Sequence, residues 1–119
     1  PPPAVQLVDQ ISVQLDGLAA QLVDVDQAHP KAAEVRKLVG EHLPNVIDGY
    51  RKIPENLRYE DRAGTNPNAQ FIGGLRTISD EIDSITRQLA AGAIDNLAIT
   101  TRYLDYKYGD ALDEPKETP

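Results

Sequence analysis

Residues 71–89 read FIGGLRTISDEIDSITRQL. Within them Phe71, Leu75, Ile78, Ile82, Ile85 and Leu89 follow one another at spacings of four, three, four, three and four residues, the period of a helix seam packed lengthwise against partners. The stretch predicts a helix over 67–91, with Thr65 or Asn66 as its cap and Pro67 in its first turn. Two glycines inside it, Gly73 and Gly74, cost ~2 kcal/mol relative to alanine, which points to a late start or to close approach of another backbone. A phosphate-cradling loop would need a longer glycine pattern between a strand and a helix, and no strand precedes this pair.

Upstream, Leu7 or Val8, Ile11, Leu15, Leu18, Leu22 and Val25 repeat the four-three spacing and predict a first helix over 4–27. His29-Pro30 marks the next boundary, because the residue before a proline is pushed out of helical conformation while the proline suits a first turn. A second helix is expected over 31–53. Val35, Leu38, Val39, His42, Leu43, Val46, Ile47, Tyr50 and Ile53 give it a broad apolar face, suited to two neighbours. Pro44 removes one of its hydrogen bonds and predicts a kink near 40–44, with a full break beside Gly40 as the alternative. Ile53-Pro54 ends it, and the polar stretch 54–66 forms the longest loop, either mobile or functional.

Downstream, Gly92 reads as a helix stop and Asp95 as the cap of a fourth helix over 96–108, with Ile94 and Ile99 as its hydrophobic staple. Leu97, Thr101, Leu104 and Tyr108 form the inner stripe and Gly109 the end. Asp83 and Arg87 stand four apart in the favourable acid-first order. The fold expected is all-α: an antiparallel bundle of four helices without a sheet. Residues 1–3 read as linker and 110–119 as a disordered acidic tail, so the domain spans 4–109.

The chain has 119 residues and a net charge of −7, with no cysteine, methionine or tryptophan. The length suffices for one core without staples. The missing cysteine excludes disulfides, thiol catalysis and thiolate metal sites but leaves the compartment open; the cytoplasm or the cytoplasmic face of a membrane is the expectation. The charge opposes a nucleic-acid binder, and the basic excess at Arg51, Lys52, Arg58 and Arg62 is interleaved with Glu55, Glu60 and Asp61. No run approaches the ~20 apolar residues of a membrane span.

Chemistry finds little to work with. A metal site needs ligands at helical spacing, and the chain has only His29 and His42; Glu41 and His42 are adjacent and diverge, and Asp24 with Asp26 lacks the rest of a calcium loop. No metal or other cofactor is expected. Ser12, Ser79 and Ser84 read as helix-surface residues with no base nearby, and His42 as a partly buried helix residue. The carboxylates Asp80 and Asp83 read as a solvated face. No catalytic residue is assigned. The candidate site is instead a docking surface on the last helix, at Arg102, Tyr103, Tyr106 and Lys107, since tyrosine and arginine dominate interface hot spots. The reading is a non-catalytic protein-interaction or scaffolding domain, binding a protein partner or a second copy of itself.

The run Glu34-Val35-Arg36-Lys37-Leu38-Val39-Gly40-Glu41-His42-Leu43-Pro44, with Val46-Ile47 and Tyr50 after it, resembles a helix of the bacterial bromochloroindolyl-phosphate hydrolysis (XpaC-like) family. The later stretches, Ile78 to Leu89 and Asp95 to Leu104 ending at Gly109, are also similar. The resemblance covers residues 30–109 and departs at His42, where the family has an aromatic residue, and in the 54–66 loop. It implies a helical domain attached to a membrane-bearing portion upstream, in an envelope-associated protein. The alternative function it implies is phosphate-ester hydrolysis or toxic-anion resistance. No catalytic residue carries over, because no motif here corresponds to one.

Overall fold

A computed structural model describes the backbone of residues 2–117 and the side chains of residues 3–109. Three helices carry it: α1, Pro2–Leu22; α2, residues 30–51; and α3, Pro67–Glu117. Among the described residues there is no strand, only a single bridge between Arg62 and Thr65. The chain divides into two compact units, residues 1–86 and 87–119. The first holds α1, α2 and α3 as far as Thr86; the second holds the rest of α3.

Helix α1 starts at Pro2, where prolines are tolerated because first-turn N–H groups lack helical partners anyway. It ends at Leu22, five residues before the expected Gln27. Asp26 explains the early stop: its Oδ1 accepts from the Ala28 N–H at 2.8 Å, a local turn that competes with the helix. His29 then caps α2 in extended conformation, Nδ1 accepting from the Lys31 N–H at 3.0 Å, with Pro30 in the first turn.

Helix α2 bends rather than breaks. Its segments Pro30–Lys37 and Leu43–Arg51 are joined by a π-helical turn, Leu38–His42, in which the Leu43 N–H donates to the Leu38 carbonyl five residues back. This wider turn receives the proline ring at position 44. It also re-phases the helix. Leu38 is buried and Leu43 half-buried, five apart, while His42 is exposed rather than partly buried as the four-three pattern predicts.

Asn66 caps α3, Oδ1 accepting from the Ala69 N–H at 2.8 Å. From there the seam is buried as its spacing requires: Leu75, Ile82 and Ile85 fully and Ile78 nearly so, in a core that also holds Ile11 and Leu18 of α1 and Val35 and Leu38 of α2. Val46 lies 3.4 Å from where a Cβ would stand at Gly74, so the second glycine of the pair marks the close approach of α2. The side chains give the helix directions. Gln14 donates to the Ser79 carbonyl and Gln21 to that of Thr86, so α1 and α3 run parallel. Leu38 and His42 lie by Glu81 and Ile85, whereas Tyr50 stacks on Phe71, so α2 is antiparallel to α3.

The 54–66 loop is built rather than loose. A 3₁₀ turn, Glu55–Leu57, opens it. Ala63 and Gly64, both at positive φ, turn the chain so that Arg62 and Thr65 exchange backbone hydrogen bonds. Arg58 anchors it to α2: its Nε donates to the Ile53 carbonyl at 2.9 Å and its guanidinium lies 4.5 Å from the Tyr50 ring centre. Phe71 covers the other face of that ring, with centroids 4.1 Å apart and planes within 4°. The Tyr50 hydroxyl donates to Asn68 Oδ1 at 3.1 Å. Burial, with the Tyr59 hydroxyl nearby, holds it above the ordinary value of 10.0 against the pull of Arg58.

The sequence expectation of four helices is corrected here. α3 does not stop at Gly92 or restart at Asp95; its backbone is helical through both and through Gly109 to Glu117. A helix-ending glycine adopts positive φ, and among the described glycines only Gly64 does so. Ile94 and Ile99 are exposed and form no staple, and Leu97, Thr101, Leu104 and Tyr108 are exposed rather than an inner stripe. Of the linker expected at 1–3 and the disordered tail expected at 110–119, Pro1 and residues 118–119 lie outside the described residues, and the backbone of 2–3 and of 110–117 is helical.

A cap and an interior glycine respond oppositely to alanine. Nothing stands within 4 Å of a Cβ at position 92. Gly92→Ala is therefore expected to strengthen this part of α3 by about 0.5–1 kcal/mol, slowing amide hydrogen exchange over residues 88–96 about two- to fivefold. Faster exchange would restore the helix stop.

Candidate functional site

The second unit is a helix in which none of the described side chains, residues 87–109, is buried. Between residues 94 and 108 it presents Ile94, Leu97, Ile99, Tyr103, Leu104, Tyr106 and Tyr108, each at least 44% exposed. A scattering of such residues is ordinary on a protein surface; seven on about four turns of one helix form an apolar sleeve interrupted by Asp95, Arg102, Asp105 and Lys107.

At about 100° per residue the sleeve has two sides. Ile94, Leu97, Thr101, Leu104 and Tyr108 make one stripe, spaced three, four, three and four. Ile99, Tyr103 and Tyr106 lie on the other. The four residues singled out from the sequence, Arg102, Tyr103, Tyr106 and Lys107, all sit on this helix and are all exposed. Lys107 ties part of the group together, its ammonium 5.9 Å from the Tyr103 ring centre and 5.6 Å from that of Tyr108. Tyr106, at 90% exposed, stands in solvent. Leu97, Thr101, Leu104 and Tyr108 were legible in the sequence as a stripe, whereas Ile94 read as a staple residue; the spacing of the four reads the same whether they face a core or solvent.

In the first unit, polar side chains that look chemical prove structural. Ser79 is buried, not on a helix surface, and closes a network with two glutamines: its hydroxyl donates to Gln14 Oε1 at 2.9 Å and accepts from Gln10 Nε2 at 3.2 Å. Amides cannot take up the proton a nucleophilic serine must lose, so this arrangement fixes the register of α1 on α3. Glu34, Lys37, His42 and Glu81 line a shallow cleft between α2 and α3. Among the described residues no three His, Asp or Glu side chains are grouped to hold a metal.

Between α1 and α2 a wider groove of about 590 Å³ is walled by Leu15, Leu18, Leu22, Val35 and Val39. Arg36 lies at its edge, and its Nη1 donates to the Gln27 carbonyl at 3.2 Å. The groove can hold apolar matter but offers no convergent polar groups that would orient a small substrate.

Among the described residues no helix is long and apolar enough to cross a membrane. Comparison with known proteins gave no match to a family model, to a curated protein or to a solved structure.

Proposed function

We propose that this chain is a non-catalytic protein-interaction module, with a three-helix unit as its body and the second unit of α3 as its docking element. The observation that carries the reading is the exposed sleeve at residues 94–108. A helix in water without tertiary packing is marginal even over several turns, because most helical stability in proteins comes from burying an amphipathic face. Here apolar and aromatic side chains stand exposed on both sides, uncovered by any described side chain of their own unit. The tyrosines and flanking Arg102 and Lys107 are the residue types that anchor protein interfaces, and the Lys107 ammonium helps fix the rings it approaches.

The test is capture of partners from the source cell by the full chain, compared with Tyr103→Ala and Tyr106→Ala. Both side chains are exposed, so far-ultraviolet circular dichroism and the unfolding midpoint are expected to stay unchanged. Loss of one anchoring ring is expected to cost about 2 kcal/mol of affinity and cut recovery more than tenfold. Undiminished recovery with both variants removes the tyrosine face from the reading.

A further inference from the structure

The stripe from Ile94 to Tyr108 identifies its own partner. Spacing of three then four sets the heptad register: Ile94, Thr101 and Tyr108 take position a, and Leu97 and Leu104 take position d. Two of the three a positions, Ile94 and Thr101, are β-branched and both d positions are leucine, the combination that favours two parallel strands because the two positions present their side chains at different angles to the facing helix; Tyr108 closes the seam at its end. From this register we infer that residues 94–108 pair with the same segment of a second copy of this chain, in parallel and in register. The inference rests on the reading of the second unit as a docking element and names one of its partners.

Three features of the segment fit that pairing. Thr101 would put a hydroxyl into the seam, but its Oγ1 already donates to the Ala98 carbonyl at 3.1 Å, leaving its methyl group to pack. The flanking e and g positions carry Ala93, Ala98, Thr100, Asp105 and Lys107. In a parallel pair Ala93 of one copy faces Ala98 of the other, and Thr100 faces Asp105, so no like charges meet across the seam. Finally, Arg102, Tyr103 and Tyr106 fall at b, c and f, on the outside of the pair. A two-stranded coil would cover the aliphatic stripe and leave the tyrosine face free for a different protein.

The seam spans little more than two heptads, short of the three to four that make a self-sufficient coil, so the dimer is weak and its mass depends on concentration. Sedimentation equilibrium on the full chain, from roughly 1 µM to 1 mM, is expected to show the mass doubling within that range. Leu97→Glu combined with Leu104→Glu is expected to raise the dissociation constant at least a hundredfold. Both side chains are already exposed, so circular dichroism of the first unit is not expected to change. Tyr103→Ala and Tyr106→Ala, on the outer face, are expected to leave the mass curve unchanged, which separates this test from that of partner capture.

Orientation can be read directly because the native chain has no cysteine. Ile94→Cys is expected to give a disulfide-linked dimer under mild oxidation, since in-register parallel strands bring position 94 beside its copy. Ile99→Cys, on the outer face, is expected to give none. A single mass at every concentration overturns the proposal, as does a dimer that survives both glutamates. A dimer in which Ile94→Cys fails to cross-link overturns the parallel register.

Discussion

Ile82→Ala is expected to lower the unfolding free energy of the three-helix unit by about 3–4 kcal/mol, read as a fall in the urea midpoint with the slope unchanged. The side chain has no solvent exposure and lies midway along the seam from Leu75 to Ile85. Removing it takes away the transfer energy of three carbons and leaves a hole in the core. Partial collapse is opposed by the Ser79 network, which ties α1 to α3 one turn away. Small domains hold about 5–15 kcal/mol in all, so this one substitution removes a large share. A loss below about 1 kcal/mol would mean that α3 does not pack through this seam.

Tyr50→Ala is expected to cost about 3–5 kcal/mol and, unlike Ile82→Ala, to loosen one loop selectively. The ring is the common surface of α2, α3 and the 54–66 loop: Phe71 lies on one face, Arg58 on the other, and Asn68 accepts from the hydroxyl. Without it Arg58 keeps its hydrogen bond to the Ile53 carbonyl but loses the ring it lies over. Amide exchange over residues 54–66 is therefore expected to accelerate beyond the change in global stability. Tyr50→Phe separates the contributions. It keeps the stack and the cation contact, and it is expected to cost about 1 kcal/mol for the lost hydrogen bond. Equal losses from the two substitutions would place the energy in the hydroxyl rather than in the ring.

The parts of this fold legible in the sequence are those where one local signal has one physical meaning. His29-Pro30 and Asn66-Pro67 mark helix boundaries, because the residue before a proline leaves helical conformation while the proline suits a first turn, and the six apolar residues from Phe71 to Leu89 lie at the spacing of one helical face. Gly92 and Gly109 were ambiguous. Glycine ends a helix when the chain turns there to positive φ, and otherwise it is merely a weak interior residue; the glycine itself permits both. Asp95 carries the same ambiguity, since a cap and a first-turn surface acid are the same residue type. Tyr103 and Tyr106 were legible as exposed because nothing in the helical phase placed both on a core. The Leu97 stripe was not, because periodicity shows that residues share a face and cannot show what the face meets. Ser79 was missed for a related reason: its neighbours across the interface, Gln10 and Gln14, lie more than sixty residues away in the chain.

The π turn in α2 also says something about how this chain tolerates change in length. An α-helical ladder offers no room for an extra residue: it would rotate every later side chain by about 100° and turn the apolar face outward. A five-residue ring absorbs that extra residue locally, and Leu43, Val46 and Tyr50 return to the inside as though it had not been added. Residues 38–42 are thus a joint at which the helix can gain or lose one position while the two halves keep their partners, and in this chain the residue displaced outward at the joint is His42.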